Sequence, residues 1–341
     1  MKNKRVSMQT IADKLSISKV TVFKALNNQP GVSLELKDKI IKVCNELGYD
    51  KWSNNTLKRN YKLAFIVPKR FFLENENFYS SIYYYLNKEC VTENFQLSLF
   101  IIDSHSEINC IIPPPILSGE FNGIFVAGEM NISFLNTLVA KKTPVVFIDF
   151  YISGFNSDCI IVDNYYVGYV AANYLIDNGH KKIGFLGNPK QTTSISDRFF
   201  GYRKALMAND FEYNESWNIV NNDPVTGFYH LDYELPSVLP TAYICHCDMA
   251  AYFLMQKLTT AKIKVPDDIS IISFDNTQLS QDCNPPLTTI DISTKEFAKK
   301  ALEQMETRLK EPTVPCHREY IHTSLIERSS VKKLEKLDCA L

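Results

Sequence analysis

From residue 61 onwards, short continuous apolar runs alternate with segments whose apolar residues recur at helical spacing. The apolar runs form two series. The first comprises 63–68, 95–102, 123–127, 144–149 and 159–162, and the second comprises 182–187, 217–221, 241–245 and 269–274. Helical spacing occurs near 78–94, 164–179, 197–209, 248–261 and 294–309. Continuous apolar strands joined by helical crossovers predict parallel sheets that helices cover on both faces.

Two such series predict an α/β fold of two doubly wound lobes rather than one closed barrel. Sheets of this kind bind ligands beyond the carboxyl ends of their strands, where loops from several strands meet. We therefore expect a small ligand in a cleft between the two lobes.

The first fifty residues have a different pattern, that of three short helices. The first is predicted over about 7–15, with Ser7 as its N-cap, and the second over 19–26 after a three-residue break. The third follows the N-cap Ser33 and ends near Gly48, which can take the left-handed conformation of a C′ residue. Two short helices with a tight turn and a third helix against them are typical of a helix-turn-helix. A small helical bundle with exposed lysines has the same spacing.

The formal charge is distributed unevenly between these two regions. Residues 1–62 carry 13 Lys and Arg against five Asp and Glu, a formal charge of +8. Because the whole chain has a charge of −1, the remaining 279 residues have −9. A small basic segment on a larger acidic body indicates a module that binds a polyanion. A basic tail that only improves solubility would give the same charge, but it would lack the helical periodicity.

The composition is that of an ordinary globular protein, with 45% hydrophobic and 22% charged residues among 341. No apolar stretch approaches the ~18 residues of a membrane helix. The basic N-terminal segment is not followed by the apolar stretch of a secretory signal, and nine cysteines without CxxC pairs suit a reducing compartment. We therefore expect a cytoplasmic protein.

The sequence contains none of the common motifs for catalysis, phosphate binding or metal binding, so we expect no enzymatic activity and no cofactor. The triplet Cys245-His246-Cys247 suggests a metal site at first. On a strand, however, the two cysteines would point to one face and His246 to the other, so the three could not converge on one ion. We expect a buried pair of thiols there.

The run VSMQTIADKLSISKVTVFKALNNQPGVS is followed by a helix that ends in LGY. It resembles the DNA-binding head of the lactose-repressor (LacI/GalR) family of bacterial transcriptional regulators. The resemblance implies that Lys19, Val20 and Lys24 read base edges. It implies contacts to the DNA backbone from Ser7, Ser18, Thr21, Asn27, Ser33 and Tyr49.

Two positions of this head depart from the family pattern. Phe23 stands where a phosphate-contacting serine is common, and Lys24 stands where an arginine is common. A lysine cannot form the bidentate pair of hydrogen bonds that arginine makes with guanine, and Val20 offers only apolar contact, for example to a thymine methyl group. We therefore expect an operator preference that differs from those of relatives.

In the resembled family, the segment that corresponds to residues 51–61 forms a hinge helix on DNA, and paired leucines enter the minor groove. Leu57 is the leucine placed for this role here. The usual Pro-Asn entry and Ala-Arg-x-Leu pattern are missing, so a plain interdomain linker is the alternative.

The resemblance continues through the body in the strings VDNYYVGYVAANYLIDNGHKKIGFLG, PTAYICHCDMAAYFLMQKL, PPLTTIDIS and SLIERSS. It implies ligand contacts in the cleft at Asp149, Arg198, Asp275, Phe78 and Tyr79. A guanidinium and carboxylates can bind adjacent hydroxyls, or a carboxylate, through paired hydrogen bonds. Cys247 departs from the pattern, in which an asparagine is common, and we expect Asp248 to cap a helix.

We therefore predict a helix-turn-helix DNA-binding domain at 1–50, a hinge or linker at 51–61, and a two-lobed, periplasmic-binding-protein-like domain for effector binding and dimerisation at 62–341. The predicted function is a homodimeric regulator, most simply a repressor, of carbohydrate-utilisation genes. Its partners would be palindromic operator DNA and a sugar or sugar derivative. Control by a partner phosphoprotein is one alternative. A solute-binding protein of the same architecture is another, although it would have no use for a basic head.

Overall fold

The computed structural model describes residues 6–26, 31–49, 60–72, 78–140, 143–221, 223, 229 and 232–334. This part of the chain divides into two compact units. The first, which we call the head, contains the described residues up to 60 and is grouped with 93–95, and the second, which we call the body, contains 61–92 and the described residues from 96 onwards. Asn27, Leu57 and most of the segment 51–61 lie outside the described residues, so the expectations for them stay predictions.

The head contains three helices, which begin and end where the sequence pattern predicts. They are α1 (Met8–Leu15), α2 (Lys19–Leu26) and α3 (Leu34–Leu47). Their apolar faces meet in one core that includes Ile11, Val22 and Ile40, all fully buried. The Ser33 hydroxyl accepts a hydrogen bond from the Leu36 amide at 3.3 Å, and Gly48 ends α3 with φ +63°. Cap residues at both ends of α3 therefore fix its length.

The body alternates strands and helices along most of its length. The described strands are β1 (Lys62–Pro68), β2 (Gln96–Ile102), β3 (Gly123–Ala127), β4 (Val145–Ile148), β5 (Asp158–Ile161), β6 (Ile183–Leu186), β7 (Asn218–Ile219), β8 (Ala242–Cys245), β9 (Ser270–Asp275), β10 (Thr288–Ile292), β11 (Arg318–Tyr320) and β12 (Thr323–Ile326). The described helices are α4 (Phe78–Thr92), α5 (Ser104–Ile108), α6 (Pro114–Leu117), α7 (Ile132–Val139), α8 (Asn164–Asp177), α9 (Thr193–Ala208), α10 (Asp248–Thr260), α11 (Gln278–Asp282) and α12 (Thr294–Lys310).

The described strands of the body form two six-stranded sheets, one in each lobe. The N-lobe sheet has the order β11-β5-β4-β3-β1-β2, with parallel pairing throughout. The C-lobe sheet has the order β12-β10-β9-β8-β6-β7. Each lobe has its own apolar core. These sheets confirm the predicted α/β class with two doubly wound lobes.

The apolar pattern did not predict β10, β11 or β12. β10 begins with two buried threonines, Thr288 and Thr289, and Asp291 separates its two isoleucines, so it contains no continuous apolar run. The other two are edge strands of three and four residues with partly exposed side chains. β12 also differs from the expected parallel arrangement, because it is antiparallel to β10. β11 runs parallel to β5, so it ends on the side of the N-lobe that faces the cleft. The chain then crosses the cleft and begins β12 beside the carboxyl end of β10, which makes β12 antiparallel to β10.

The chain crosses between the lobes after β5, after β10 and between β11 and β12. These crossings leave the carboxyl ends of the parallel strands of both sheets facing the same cleft. Among the residues that the structure describes, no helix is long and apolar enough to cross a membrane.

Candidate ligand cavity and DNA-binding head

One cavity in the cleft is lined by all five residues that the sequence suggested as ligand contacts. Phe78, Tyr79 and Asp149 come from the N-lobe, and Arg198 and Asp275 come from the C-lobe. The cavity has a volume of about 110 Å³, which is enough for several water molecules or one compact small molecule. A ligand there would therefore contact both lobes at once.

Asp149 follows β4 directly and is buried in the cavity wall, with 6% of its surface exposed. Its backbone is in the left-handed region at φ +68°, which aspartate and asparagine tolerate better than most residues. The Tyr79 hydroxyl donates a hydrogen bond to Oδ2 at 2.8 Å, whereas Oδ1 is buried without a partner. Burial raises the pKa of the Asp149 carboxyl to about 6, although the Arg198 guanidinium and the Tyr79 hydroxyl act in the opposite direction.

Arg198, on α9, is held by contacts on several sides. Its Nε donates to Asn164 Oδ1 at 2.8 Å, and its Nη1 donates to the backbone carbonyl of His246. Nη2 lies 3.8 Å from Asp275 Oδ1, and the guanidinium carbon lies 4.6 Å above the centre of the Phe274 ring. These contacts fix the guanidinium in the wall of the cavity before any ligand arrives.

Two glycines allow α8 and α9 to approach closely enough to place Arg198. A Cβ on Gly168 would lie 2.2 Å from the carbonyl oxygen of Arg198, and a Cβ on Gly201 would lie 2.0 Å from that of Tyr165. The two helices therefore pack backbone against backbone. Asn164, at the start of α8, reaches Arg198 because of this close packing.

His246 and Cys247 both line the cavity, which corrects the interpretation of the Cys245-His246-Cys247 triplet. β8 ends at Cys245, so the alternation of a strand does not continue through the next two residues. Of the two cysteines in this triplet, Cys245 is buried and Cys247 is half-buried, so they do not form the expected buried pair of thiols. Burial lowers the pKa of the His246 imidazole to about 4, so this ring is neutral at pH 7.

Asp248 is not the cap of α10, contrary to expectation. The cap is Cys247, whose sulfur accepts a hydrogen bond from the Ala250 amide at 3.4 Å. The Asp248 carboxylate instead accepts hydrogen bonds from Ser273 Oγ at 2.6 Å, from Thr289 Oγ1 at 2.9 Å, and from both the amide and the hydroxyl of Thr277. It holds the loop after β9 in place and does not line the cavity.

The sequence interpretation missed other lining residues besides His246. They include Arg70, Phe71, Gln191, Thr192, Ser194 and Tyr229. His246 could have been found, because it follows a parallel strand at its carboxyl end as Asp149 does. The ring of Tyr229 stacks on His246, but its segment has no strand or helix pattern to place it near the cleft. Within the described ranges, no group of three or more His, Cys, Asp or Glu side chains is arranged to hold a metal ion.

Two hydrogen bonds join the lobes beside the cavity, and both end on α9. The Thr193 amide, at the start of α9, donates to Glu129 Oε2 at 2.6 Å. The Tyr151 hydroxyl donates to Asp197 Oδ2 at 3.0 Å. Burial raises the pKa of both the Glu129 and the Asp197 carboxyl groups. The helix that contributes Arg198 to the cavity is therefore also bonded to the opposite lobe.

In the head, α2 presents basic and apolar side chains outside the core. Lys19 is exposed, Val20 and Phe23 are 61% and 43% exposed, and Lys24 is half-buried. Val20 and Phe23 are three residues apart, so they lie on neighbouring positions of one helix face. This surface can make apolar as well as charge-assisted contacts.

The predicted backbone-contacting residues lie at helix ends. Ser7, Ser18 and Ser33 each accept a hydrogen bond from an amide three residues later, at 3.3, 3.0 and 3.3 Å. Thr21 lies in the first turn of α2, where its hydroxyl is 2.8 Å from that of Ser18. Tyr49 is 94% buried in the head core, so only a small part of its surface is open to DNA.

Comparison with known proteins identifies similar chains over almost the full length. Residues 172–331 match the model of the periplasmic binding protein-like domain. The chain is 27% identical over 335 residues to the HTH-type transcriptional repressor PurR of Histophilus somni (strain 2336), and the match covers 96% of this chain and 99% of that one.

Two solved structures share the fold. One is a complex of the transcriptional regulator CelR with cellobiose, with a TM-score of 0.67, 20% identity, and coverage of 96% of this chain and 100% of that one. The other is the lac repressor dimer bound to operator and the anti-inducer ONPF, with a TM-score of 0.67, 19% identity, and the same coverage. These three similar proteins are transcriptional regulators or repressors.

Proposed function

We propose that this chain is a regulator of the lactose-repressor (LacI/GalR) type and a sequence-specific repressor of carbohydrate-utilisation genes. A small molecule in the interlobe cavity controls its affinity for operator DNA. The observation that carries the proposal is the combination, in one chain, of a helix-turn-helix head and a cavity with charged side chains from two lobes.

The head binds DNA with α2 in the major groove. Lys19, Val20 and Lys24 contact base edges, because they are the outward positions at the start and middle of this helix. Phosphates bind at the amino ends of the helices, where backbone amides and the Ser7 and Ser33 hydroxyls are available. The formal charge of +8 on residues 1–62 contributes a nonspecific, salt-dependent part of the affinity.

The cavity couples ligand binding to DNA binding. Asp149 belongs to one lobe and Arg198 to the other, so a ligand that contacts both favours one relative orientation of the lobes. A sugar suits the site, because hydroxyl groups can bind carboxylates and a guanidinium while aromatic rings such as Phe78 pack on its apolar face. The solved relative with cellobiose shows a sugar in a regulator of this fold.

The active assembly is a homodimer. A palindromic operator presents two equivalent half-sites, and a two-fold protein places one head on each of them. Effector binding then alters operator affinity by changing whether both heads fit the half-site spacing at once.

Two measurements on the full chain test this function. Selection of binding sites from random duplex DNA should yield a palindrome, and affinity for it should fall steeply with salt. A thermal-shift screen against sugars should yield a ligand that raises the midpoint of unfolding. That ligand must change operator affinity, and operator DNA must change the affinity for the ligand by the same factor.

Arg198→Ala should abolish the ligand response. Arg203→Ala is the matched control, since Arg203 is on the same helix with its guanidinium over the Tyr213 ring at 3.8 Å. Failure to bind any selected DNA would refute the proposed function. Operator binding without a response to any sugar would refute the control by sugars and favour a protein partner.

A further inference from the structure

Asp149 has one carboxylate oxygen whose hydrogen-bonding capacity is unused. Oδ2 accepts the Tyr79 hydroxyl, but Oδ1 is buried in the cavity wall without any partner. A buried polar atom without a hydrogen bond is unfavourable, so the site gains most from a ligand that brings a strong donor to this oxygen. This oxygen identifies where one particular group of the ligand belongs.

The charges around the cavity favour a cation over an anion. Asp149 and Asp275 both line it, and Arg198 is the cation between them. Arg70 also lines the cavity, but its guanidinium forms two hydrogen bonds with the Glu107 carboxylate, so its charge is already balanced. His246 adds no charge, because its imidazole is neutral at pH 7. The described charged groups that line the cavity thus leave an excess of negative charge.

The aromatic side chains that line the cavity also favour a cation. Phe71, Phe78, Tyr79 and Tyr229 all border the cavity. The Phe71 and Tyr79 rings stack with their centres 5.6 Å apart, and Phe78 meets Tyr79 edge to face at 5.1 Å. Ring faces carry negative electrostatic potential and attract ammonium groups, especially where water is excluded.

We propose that the effector carries a protonated amino group on a compact, hydroxylated frame, and that this amino group binds Oδ1 of Asp149. The inference rests on the proposed function and specifies the chemical class of its effector. An ammonium group supplies a charge-assisted donor to the unpaired oxygen and balances the excess carboxylate. A phosphate or carboxylate on the ligand would instead approach the Asp149 and Asp275 carboxylates, and among the described lining cations Arg70 already pairs with Glu107.

Matched pairs of sugars test this proposal by calorimetry at pH 7.5. The probes are D-glucosamine with D-glucose, D-galactosamine with D-galactose, and D-mannosamine with D-mannose, and D-glucose 6-phosphate is the anionic probe. We expect at least one amino sugar to bind about 10–100-fold more tightly than its hydroxyl counterpart, the range for a hydrogen bond to a charged group. The phosphate should bind more weakly than glucose.

The variant Asp149→Asn removes the negative charge of this side chain but keeps its size, so it tests whether the charge is what favours the amino sugar. Asparagine tolerates the backbone at φ +68° and can still accept the Tyr79 hydroxyl, so the variant should fold. The preference for the amino sugar should fall below about threefold, since only the neutral part of the hydrogen bond remains. Asp177→Asn, on the exposed surface of α8, is the matched control and should keep the full preference.

The pH dependence gives a second readout. Because the pKa of the Asp149 carboxyl is about 6, this group becomes protonated as the pH falls from 7.5 to 5, and the affinity for the amino sugar should fall with it. The charged and titratable groups that act on Asp149 are Arg198, Tyr79 and Glu129. The neutral sugars should lose less affinity over the same range.

Equal or tighter binding of every hydroxyl sugar, or no binding by any amino sugar, would overturn the proposal. A neutral sugar that binds more tightly than every amino sugar and changes operator affinity would overturn it while supporting the proposed function. Absence of operator binding would instead overturn the proposed function, whatever the sugars do.

Discussion

Arg308 and Asp158 form a buried ion pair that connects α12 to the N-lobe sheet. Nε of Arg308 lies 2.8 Å from Asp158 Oδ2, and Nη2 lies 3.0 Å from Oδ1. The Asp158 side chain is 1% exposed and that of Arg308 is 10% exposed. Nη1 also donates to the carbonyls of Pro312 and Val314, which lead towards β11. Arg308 therefore holds α12 against β5 and also fixes the start of the segment that leads from α12 to β11.

Arg308→Met should destabilise the body strongly. It leaves the Asp158 carboxylate buried with the His317 amide, at 3.2 Å from Oδ1, as its remaining hydrogen-bond donor. Removing one partner of a buried ion pair lowers the free energy of unfolding by about 3–5 kcal/mol. At roughly 2–4 °C per kcal/mol for a large domain, the unfolding midpoint should fall by about 6–20 °C.

Urea unfolding followed by circular dichroism at 222 nm measures this loss. Lys310→Met is the control on the same helix, because Lys310 is 65% exposed and its pair with Glu306 should contribute at most about 0.5 kcal/mol. The double variant Arg308→Met, Asp158→Leu should regain much of the stability, since it leaves no buried charge. A loss below about 1 kcal/mol for the single variant, or a double variant no more stable than it, would refute the reasoning.

Three further predictions concern the head, the helix contact and the buried titratable groups. Lys24→Ala should weaken operator binding about 10–100-fold in fluorescence anisotropy and relax the preference at one base pair, and an unchanged preference would contradict base contact. Gly168→Ala places a Cβ 2.2 Å from the Arg198 carbonyl oxygen, so we expect a loss of about 1–3 kcal/mol in urea unfolding and weaker ligand binding. The pKa of His246 is about 4 against an ordinary 6.5, so the unfolded chain binds more protons between these values and stability rises with pH there. His246→Gln should flatten this rise when urea midpoints are measured from pH 4 to 7. The pKa of the Asp149 carboxyl is raised from 3.8 to about 6, so the folded chain binds more protons there and this group makes stability fall as the pH rises. Asp149→Asn removes that contribution and should make the rise steeper.

Local signals in the sequence were sufficient to predict the helices of the head and most of the strands of the body. Ser7, Ser33 and Gly48 mark helix ends by their own hydrogen-bonding and backbone properties, which depend on few neighbours. The strands predicted in the body are those with continuous apolar runs. β11 and β12 could not be predicted this way, because short edge strands form through pairing with strands far away in the chain.

The cavity was only partly predictable. Asp149 lies directly after a parallel strand and Asp275 ends one, so topology alone points to them. His246 has the same kind of position, but the sequence interpretation gave the Cys245-His246-Cys247 triplet the alternation of a strand, and β8 ends at Cys245. The hydrogen bond from Thr193 to Glu129 could not be predicted, because it depends on how closely the two lobes approach.

Neither lobe is a continuous stretch of chain, and this determines the order in which the protein can fold during synthesis. The N-lobe sheet lacks its edge strand β11 until residue 320 has been made, about 160 residues after the end of β5. α12, which packs against α4 and the same sheet, also arrives late. At about 5–20 residues per second, the ribosome leaves this lobe incomplete for roughly 10–30 s, whereas the contiguous head can fold long before. A chain that terminates before residue 318 would lack an edge strand in both lobes, although all three helices of its head would have been made.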